Sequence, residues 1–212
     1  MTQDALIERI AARLLTIPQE PGKAAYREFA GKPIFNAERP AIHAAVLLAL
    51  VKRAEGYRVL YTERASDLRD HSGQVAFPGG KIDGSDRDAA GAAMREAAEE
   101  VALRASDARV VGYLPNYFTG SNYRITAVVA EVHPTAPFRA NPDEVAGIFE
   151  VPLAHLHTDG AWSRLTFVRG KISRATWRID HDGHSIWGIT ASLTRLFRDL
   201  ALKDEGSGDA GA

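Results

Sequence analysis

The order of apolar and polar residues predicts an amphipathic helix at the start of the chain, followed by strands. Five apolar residues recur at helical spacing with charged residues between them, namely Leu6, Ile7, Ile10, Leu14 and Ile17. Pro18 and the Pro21-Gly22 pair are expected to end this helix. The runs 43–51 and 57–62 then predict two strands, joined by a turn at 53–56.

The rest of the pattern predicts further strands around two more helices. An alanine-rich helix is expected from about Asp86 to Ala102, with Ser85 as its N-cap and Asp88 completing a capping-box pattern. Strands are predicted at 109–114, 124–132, 145–151, 164–168, 175–179 and 184–187, and a last helix at 190–203. This arrangement predicts an α/β layered domain with a mixed sheet.

The length of 212 residues suits one domain, and no internal repeat or linker divides it. We expect residues 40–203 to form that domain, residues 1–39 to supply the first helix and a polar connection, and residues 204–212 to be a disordered tail. The longest apolar run, 44–51, is far shorter than a membrane helix requires.

Composition narrows the classes of partner. The formal net charge is -1, so no basic field spans the chain to attract nucleic acid, and any attraction for phosphate must be local. The absence of cysteine excludes disulfides, thiolate metal sites and cysteine nucleophiles. We therefore expect a cytoplasmic monomer or homodimer with a small-molecule substrate and no nucleic-acid or membrane partner.

Three glutamates near the end of the alanine-rich helix are the main candidates for chemistry. Glu96 and Glu100 are four residues apart, and Glu99 is three residues after Glu96, so the three carboxylates project from one helical face. Like charges at this spacing repel, and the helix macrodipole disfavours anions near its C-terminus. A divalent cation would offset both costs, although a face rich in glutamate is more often simply solvated. The preceding Gly79-Gly80 pair permits the close backbone approach that a diphosphate needs.

The segment GGKIDGSDRDAAGAAMREAAEEVAL, residues 79–103, resembles the box of the Nudix hydrolase family, G-x5-E-x7-R-E-U-x-E-E-x-G-U with U aliphatic. Gly80 matches the first glycine, and Arg95-Glu96 and Glu99-Glu100 match the charged positions. The chain departs from the box in three ways: Asp86 replaces the first glutamate, eight residues instead of seven separate it from Arg95, and Ala102 replaces the late glycine. The resemblance implies a Nudix-type α/β/α sandwich.

Upstream, LYTERASDLRDHSGQVAFPGG, residues 60–80, resembles the signature of the coenzyme A pyrophosphatase branch of that family, L-L-T-x-R-[SA]-x3-R-x3-G-x3-F-P-G-G. Nine residues after the first leucine fall in register with this signature: Thr62, Arg64, Ala65, Arg69, Gly73, Phe77, Pro78, Gly79 and Gly80. The resemblance extends over residues 42–197 and implies cleavage of coenzyme A into 4′-phosphopantetheine and adenosine 3′,5′-bisphosphate. The same chemistry on ADP-ribose or a dinucleotide, and a non-catalytic nucleotide-binding domain, are the alternatives.

The resemblance also implies roles for single residues. Glu96, Glu99 and Glu100 would bind Mg²⁺ or Mn²⁺. Glu99 and Glu144 are the two candidates for the general base, and a surface-loop acid is an equally good interpretation of Glu144. Arg95 is expected to orient a glutamate by a charge-assisted hydrogen bond.

Substrate contacts are expected from the loop before the helix. Gly79 and Gly80 would approach the diphosphate, while Arg64 and Arg69 flank the glycine loop and suit phosphate recognition. Ordinary surface arginines are the alternative interpretation for both. The histidine pairs 155/157 and 181/184 have no acidic partner at a metal-ligand spacing, so we do not expect metal sites there.

Overall fold

A computed structural model describes residues 2–20, 26–27, 40–65, 73–119, 121–169 and 172–203. The helices in this part of the chain are α1 (Gln3–Ala12), α2 (Ala89–Val101), α3 (Leu153–His157) and α4 (Gly188–Phe197). The strands are β1 (Tyr26–Arg27), β2 (Ile42–Arg53), β3 (Gly56–Arg64), β4 (Val75–Ala76), β5 (Gly79–Lys81), β6 (Ala108–Tyr113), β7 (Tyr117–Phe118), β8 (Tyr123–Val132), β9 (Val145–Pro152), β10 (Trp162–Arg169), β11 (Ile172–His181) and β12 (His184–Trp187).

Strand β2 is the centre of a mixed sheet. One edge of β2 pairs in parallel with β8, from Ile42 opposite Tyr123 to Val51 opposite Val132. Its other edge pairs antiparallel with β5 at 44–46 and with β3 at 50–53, and β3 in turn pairs with β9 and β4. Strands β10, β11 and β12 form a separate antiparallel sheet.

The core has two layers because β2 is apolar on both faces. Alternate residues from Ala45 to Val51 pack in one cluster with the alanines of α2, whose small side chains let the helix approach the sheet closely. Leu48 and Leu50 pack on the opposite face with residues of α1 and α4. Helices therefore cover both faces of a mixed sheet, and the expected α/β/α sandwich is confirmed.

Two predicted helix ends are wrong. The first helix ends at Ala12 and not near Pro18, because the backbone of Leu15 exchanges two hydrogen bonds with Tyr113 of β6, at 3.0 and 2.9 Å. The N-cap of α2 is Asp88 and not Ser85: the Asp88 carboxylate accepts a 2.8 Å hydrogen bond from the Gly91 backbone. Ser85 instead belongs to the preceding turn.

Some expectations concern residues outside the described ranges. These are the site residue Arg69 with its surrounding loop, most of the connection within residues 1–39, and the tail at 204–212. In the part of the chain that the structure covers, no helix has the length and apolar character needed to cross a membrane.

Candidate active site

Three carboxylates from two segments meet beside the sheet. One carboxylate oxygen each of Glu96, Glu100 and Glu144 lies within 4.8 Å of the others. Glu96 and Glu100 lie on successive turns of α2, and Glu144 comes from the loop that precedes β9. Carboxylate oxygens at this spacing form a donor set that hard divalent cations prefer. We call these three residues the carboxylate cluster.

The loop carrying Glu144 is held in place by the C-terminal end of α2. The backbone N–H of Arg139 donates to the carbonyl of Val101 at 3.0 Å, and that of Asn141 donates to the carbonyl of Glu100 at 2.9 Å. These carbonyls have no partner within the helix, so the loop satisfies groups that would otherwise need water. The Glu144 carbonyl also accepts a 2.9 Å bond from the Ala65 backbone, which ties the loop to the end of β3.

The two glycines of β5 lie in close contacts, and backbone atoms make the contact at Gly79 strict. A Cβ on Gly79 would lie 2.7 Å from Cα of Val46 in β2, which is backbone and cannot move aside. A Cβ on Gly80 would lie 2.5 Å from Cδ of Glu96. The Gly79 backbone also donates a hydrogen bond to the Glu100 carboxylate. The glycine pair of β5 thus brings polar backbone directly against the carboxylate cluster.

Arg95 connects the loop before α2 with the glutamates. Its guanidinium donates to both carboxylate oxygens of Asp86, at 2.9 and 3.0 Å, in a bidentate pair. Its Nη1 donates to Glu96 at 3.0 Å and to Glu99 at 3.2 Å. Asp86, which stands at the first glutamate position of the box, therefore anchors Arg95, and Arg95 orients Glu96.

Burial makes negative charge in the carboxylate cluster costly. Desolvation raises the pKa of Glu100 to about 8, and the nearby charge of Glu96 adds to this. Burial also raises the pKa of Glu96, against the lowering effect of Arg95. Glu100 is 3% exposed. A divalent cation would compensate for this burial, so the carboxylate cluster fits such an ion in position, charge and donor type.

The remaining predicted site residues lie around this centre. Glu99 is outside the group of three: its side chain is 53% exposed and pairs with Arg95, and its role as a ligand or base stays a prediction. Arg64 ends β3, its charge acts on Glu100, and its Nε is buried without a hydrogen-bond partner. Glu144 was expected from sequence only as a candidate base, and its place as a third possible ligand beside Glu96 and Glu100 was not predicted. No local pattern reports how a loop docks on a distant helix.

A separate groove of about 830 Å³ lies at the outer edge of β9. It is bordered by the 134–138 loop and the hairpin that joins β11 to β12, and Phe149 and His184 stack along it with ring centroids 3.8 Å apart. His184 also binds Glu63 at 2.7 Å. None of the three cluster carboxylates borders this groove, so the chemistry described above belongs to a different surface.

Comparison with known proteins gives consistent matches. The NUDIX domain profile matches residues 41–170, more than half of the chain. The chain is 41% identical over 160 residues to "Uncharacterized Nudix hydrolase NudL" of Escherichia coli strain K12, covering 76% of this chain and 81% of that protein. The protein of the same name from Shigella flexneri is 40% identical over 174 residues, covering 81% and 88%.

Among solved structures, the crystal structure of an Ap4A hydrolase from C. elegans aligns with a TM-score of 0.45 at 19% identity, covering 52% of this chain and 80% of that one. The profile match and the 41% identity to NudL carry the assignment. The carboxylate cluster lies within the matched range. The chain belongs to the Nudix hydrolase family.

Proposed function

We propose that this protein is a divalent-metal-dependent diphosphatase that cleaves coenzyme A, or a derivative of it, into 4′-phosphopantetheine and adenosine 3′,5′-bisphosphate. The observation that carries the reaction type is the carboxylate cluster of Glu96, Glu100 and Glu144 against the Gly79-Gly80 turn. Membership of the Nudix hydrolase family supports a hydrolase of nucleoside diphosphate derivatives. The identity of the substrate as coenzyme A is the more specific part of the proposal.

The carboxylate cluster would hold Mg²⁺ or Mn²⁺. A bound ion of this kind lowers the pKa of water and screens the charge that develops on phosphoryl oxygens. Hydrogen bonds hold the carboxylates in place: Arg95 donates to Glu96, and the Gly79 backbone N–H donates to Glu100. Arg64, with its unpartnered buried Nε, supplies a cation for the diphosphate.

Glu99 and Glu144 are the two proposed general bases, and their positions differ. Glu144 joins the carboxylate cluster, whereas Glu99 is exposed and pairs with Arg95. A residue that acts only as base should lose kcat on conversion to glutamine while metal affinity stays. Glu99→Gln and Glu144→Gln, each measured for kcat and for Mn²⁺ affinity, therefore separate the two roles.

The proposed substrate rests on the segment before α2. Residues 60–80 resemble the signature of the coenzyme A branch. Contacts of two parts of that segment with the cluster support the proposal. Arg64 acts on Glu100 from one end, and Gly79 and Gly80 contact the glutamates from the other. A segment specific to one substrate is expected to border the reacting bond, because specificity is exerted where substrate and protein meet.

Product analysis on coenzyme A tests the proposal. With Mg²⁺ or Mn²⁺ we expect 4′-phosphopantetheine and adenosine 3′,5′-bisphosphate in equal amounts, and with a chelator we expect neither. Coenzyme A, its disulfide, an acyl derivative, ADP-ribose and a diadenosine polyphosphate should be compared at equal concentration. Turnover of ADP-ribose or of the dinucleotide in preference to all coenzyme A forms would refute the proposed substrate and leave the reaction type standing.

A matched pair of variants tests the residues. Glu100→Gln removes a buried carboxylate of the cluster and should abolish turnover. Glu8→Gln makes the same change on the exposed surface of α1 and should leave turnover intact. Full activity of Glu100→Gln would refute the assignment of the carboxylate cluster as the metal site.

A further inference from the structure

An arginine at the start of β8 is buried and forms no ion pair with any carboxylate in the described part of the chain. Arg124 is 8% exposed, and its Nε is buried with no hydrogen-bond partner. Its Nη2 contacts Nδ1 of His43 at 3.1 Å. Among the residues that the structure describes, no carboxylate forms an ion pair with Arg124. By contrast, the buried Arg198 pairs with Asp159.

This arrangement is costly for the protein alone. A guanidinium stays protonated, so burial takes a full positive charge out of water. Burial lowers the pKa of Arg124. Buried charges in proteins are normally paired. A buried cation whose Nε has no hydrogen-bond partner, and which pairs with no carboxylate of the described ranges, is suited to an anion that arrives from outside.

The partner histidine is prepared to donate to the same anion. Arginine has donors only, so Nδ1 of His43 must accept the hydrogen bond, and the neutral ring then carries its proton on Nε2. Burial and the charge of Arg124 both lower the pKa of His43, which favours that neutral form. His43 is only partly desolvated and is exposed as a whole residue, which leaves room for a ligand beside the ring.

Arg124 lies on the same face of the sheet as the carboxylate cluster. His43 is paired in register with Arg124, and Ala45, two residues further along β2, is paired with Gly80. Side chains two residues apart on a strand share a face. The Arg124 backbone is one strand across from β2 and two residues along it from Ala45, and these two steps correspond to a distance of about 8 Å. The start of β8 therefore lies about one nucleotide's span from the strand position that pairs with Gly80.

We infer that Arg124 and His43 bind the 3′-phosphate of the coenzyme A nucleotide. This inference rests on the proposed function. In that substrate a single ribose separates the 3′-phosphate from the diphosphate, which matches an anion site beside the carboxylate cluster but apart from it. The guanidinium donates to the phosphate oxygens, and His43 adds its Nε2–H.

The test compares coenzyme A with dephospho-coenzyme A, which lacks only the 3′-phosphate. In the wild type, kcat/KM should be higher for coenzyme A. Arg124→Met should reduce that preference about 10- to 100-fold, the loss expected for hydrogen bonds to a charged group, and the change should reside in KM. If both substrates lose kcat/KM by the same factor, Arg124 does not recognise the 3′-phosphate and the inference is wrong.

Stability separates recognition from a structural role. Methionine replaces a desolvated charge that has no acidic partner by an apolar chain of similar length, so Arg124→Met should keep or raise the melting temperature. Arg124→Lys retains the charge but not the planar fork, and should lower the preference for coenzyme A by a smaller factor. Arg178→Met, at an exposed pair with Asp180, is the control and should leave the preference unchanged. If Arg124→Met does not fold, Arg124→Lys takes its place in the test. An unaltered preference for coenzyme A over dephospho-coenzyme A in Arg124→Lys would then overturn the inference.

Binding without metal distinguishes this inference from the proposed function. In the presence of a chelator, calorimetry should show tighter binding of adenosine 3′,5′-bisphosphate than of AMP, and Arg124→Met should remove the difference. Equal binding of both nucleotides by the wild type refutes the 3′-phosphate site. If that difference is seen but coenzyme A is not hydrolysed with metal, the proposed function fails and the nucleotide site stands.

Discussion

The carboxylate cluster should make the metal-free protein less stable at neutral pH, and Glu100→Gln should reveal this. The Glu100 side chain is buried, and desolvation raises its pKa to about 8. Glutamine has nearly the same shape and can still accept the hydrogen bond from Gly79. The substitution therefore removes the charge with little change in packing.

The magnitude follows from the pKa. Glu100 has a pKa of about 8 in the fold, against 4.5 in the unfolded chain. Between these values the native state holds a proton that the unfolded state has released, so stability falls as pH rises from 4.5 to 8 and is constant above. The whole loss is about 5 kcal/mol. Because the glutamine amide must also be buried, we expect Glu100→Gln to raise metal-free stability at pH 8 by about 2–4 kcal/mol.

Urea unfolding in the presence of a chelator, at pH 5 and pH 8, measures this effect. At pH 5 native Glu100 is protonated, and the variant should match the wild type within about 1 kcal/mol. At pH 8 the variant should be the more stable protein. Added Mg²⁺ should stabilise the wild type at pH 8, since the ion binds only the folded state, and should have little effect on the variant.

The outcome that refutes this reasoning is a Glu100→Gln variant less stable than the wild type at pH 8 without metal. In that case the buried carboxylate would contribute to stability, and its burial would be no argument for a cation. Glu8→Gln on the exposed surface of α1 is the control for the loss of one negative charge. Its stability should equal that of the wild type at both pH values.

Three further predictions use four substitutions, one of which is a control. Ala102 has a left-handed backbone (φ 56°), so Ala102→Gly should stabilise the fold by about 1 kcal/mol and raise Tm by about 2–4 °C. Ala98→Gly within α2 should instead lower stability by about 1 kcal/mol. Calorimetry measures both changes in Tm. Gly80→Ala should displace the Glu96 carboxylate and lower kcat by about 100-fold, while circular dichroism stays native. Arg95→Lys loses the bidentate geometry and should lower Mn²⁺ affinity or activity about 10- to 100-fold; wild-type kinetics would contradict its orienting role.

The sequence by itself determined the parts of the site that depend on near neighbours. Spacing of four residues on a helix puts Glu96 and Glu100 on one side, whatever the helix packs against. The apolar run at 44–51 predicts a buried central strand, and β2 is that strand. The Gly79-Gly80 pair indicates a close approach, which the structure identifies as contact with Val46 and Glu96.

Only the tertiary structure decided which groups meet across the fold. Glu144 joins the cluster because backbone donors of its loop satisfy carbonyls at the end of α2, and Leu15 leaves its predicted helix because β6 offers it two hydrogen bonds. Arg124 is an ordinary strand residue in the sequence, and only the pairing of β2 with β8 brings His43 beside it. Periodicity reports which face a side chain takes, but the docking of a loop or the pairing of a buried charge is set by unsatisfied groups far away in the chain.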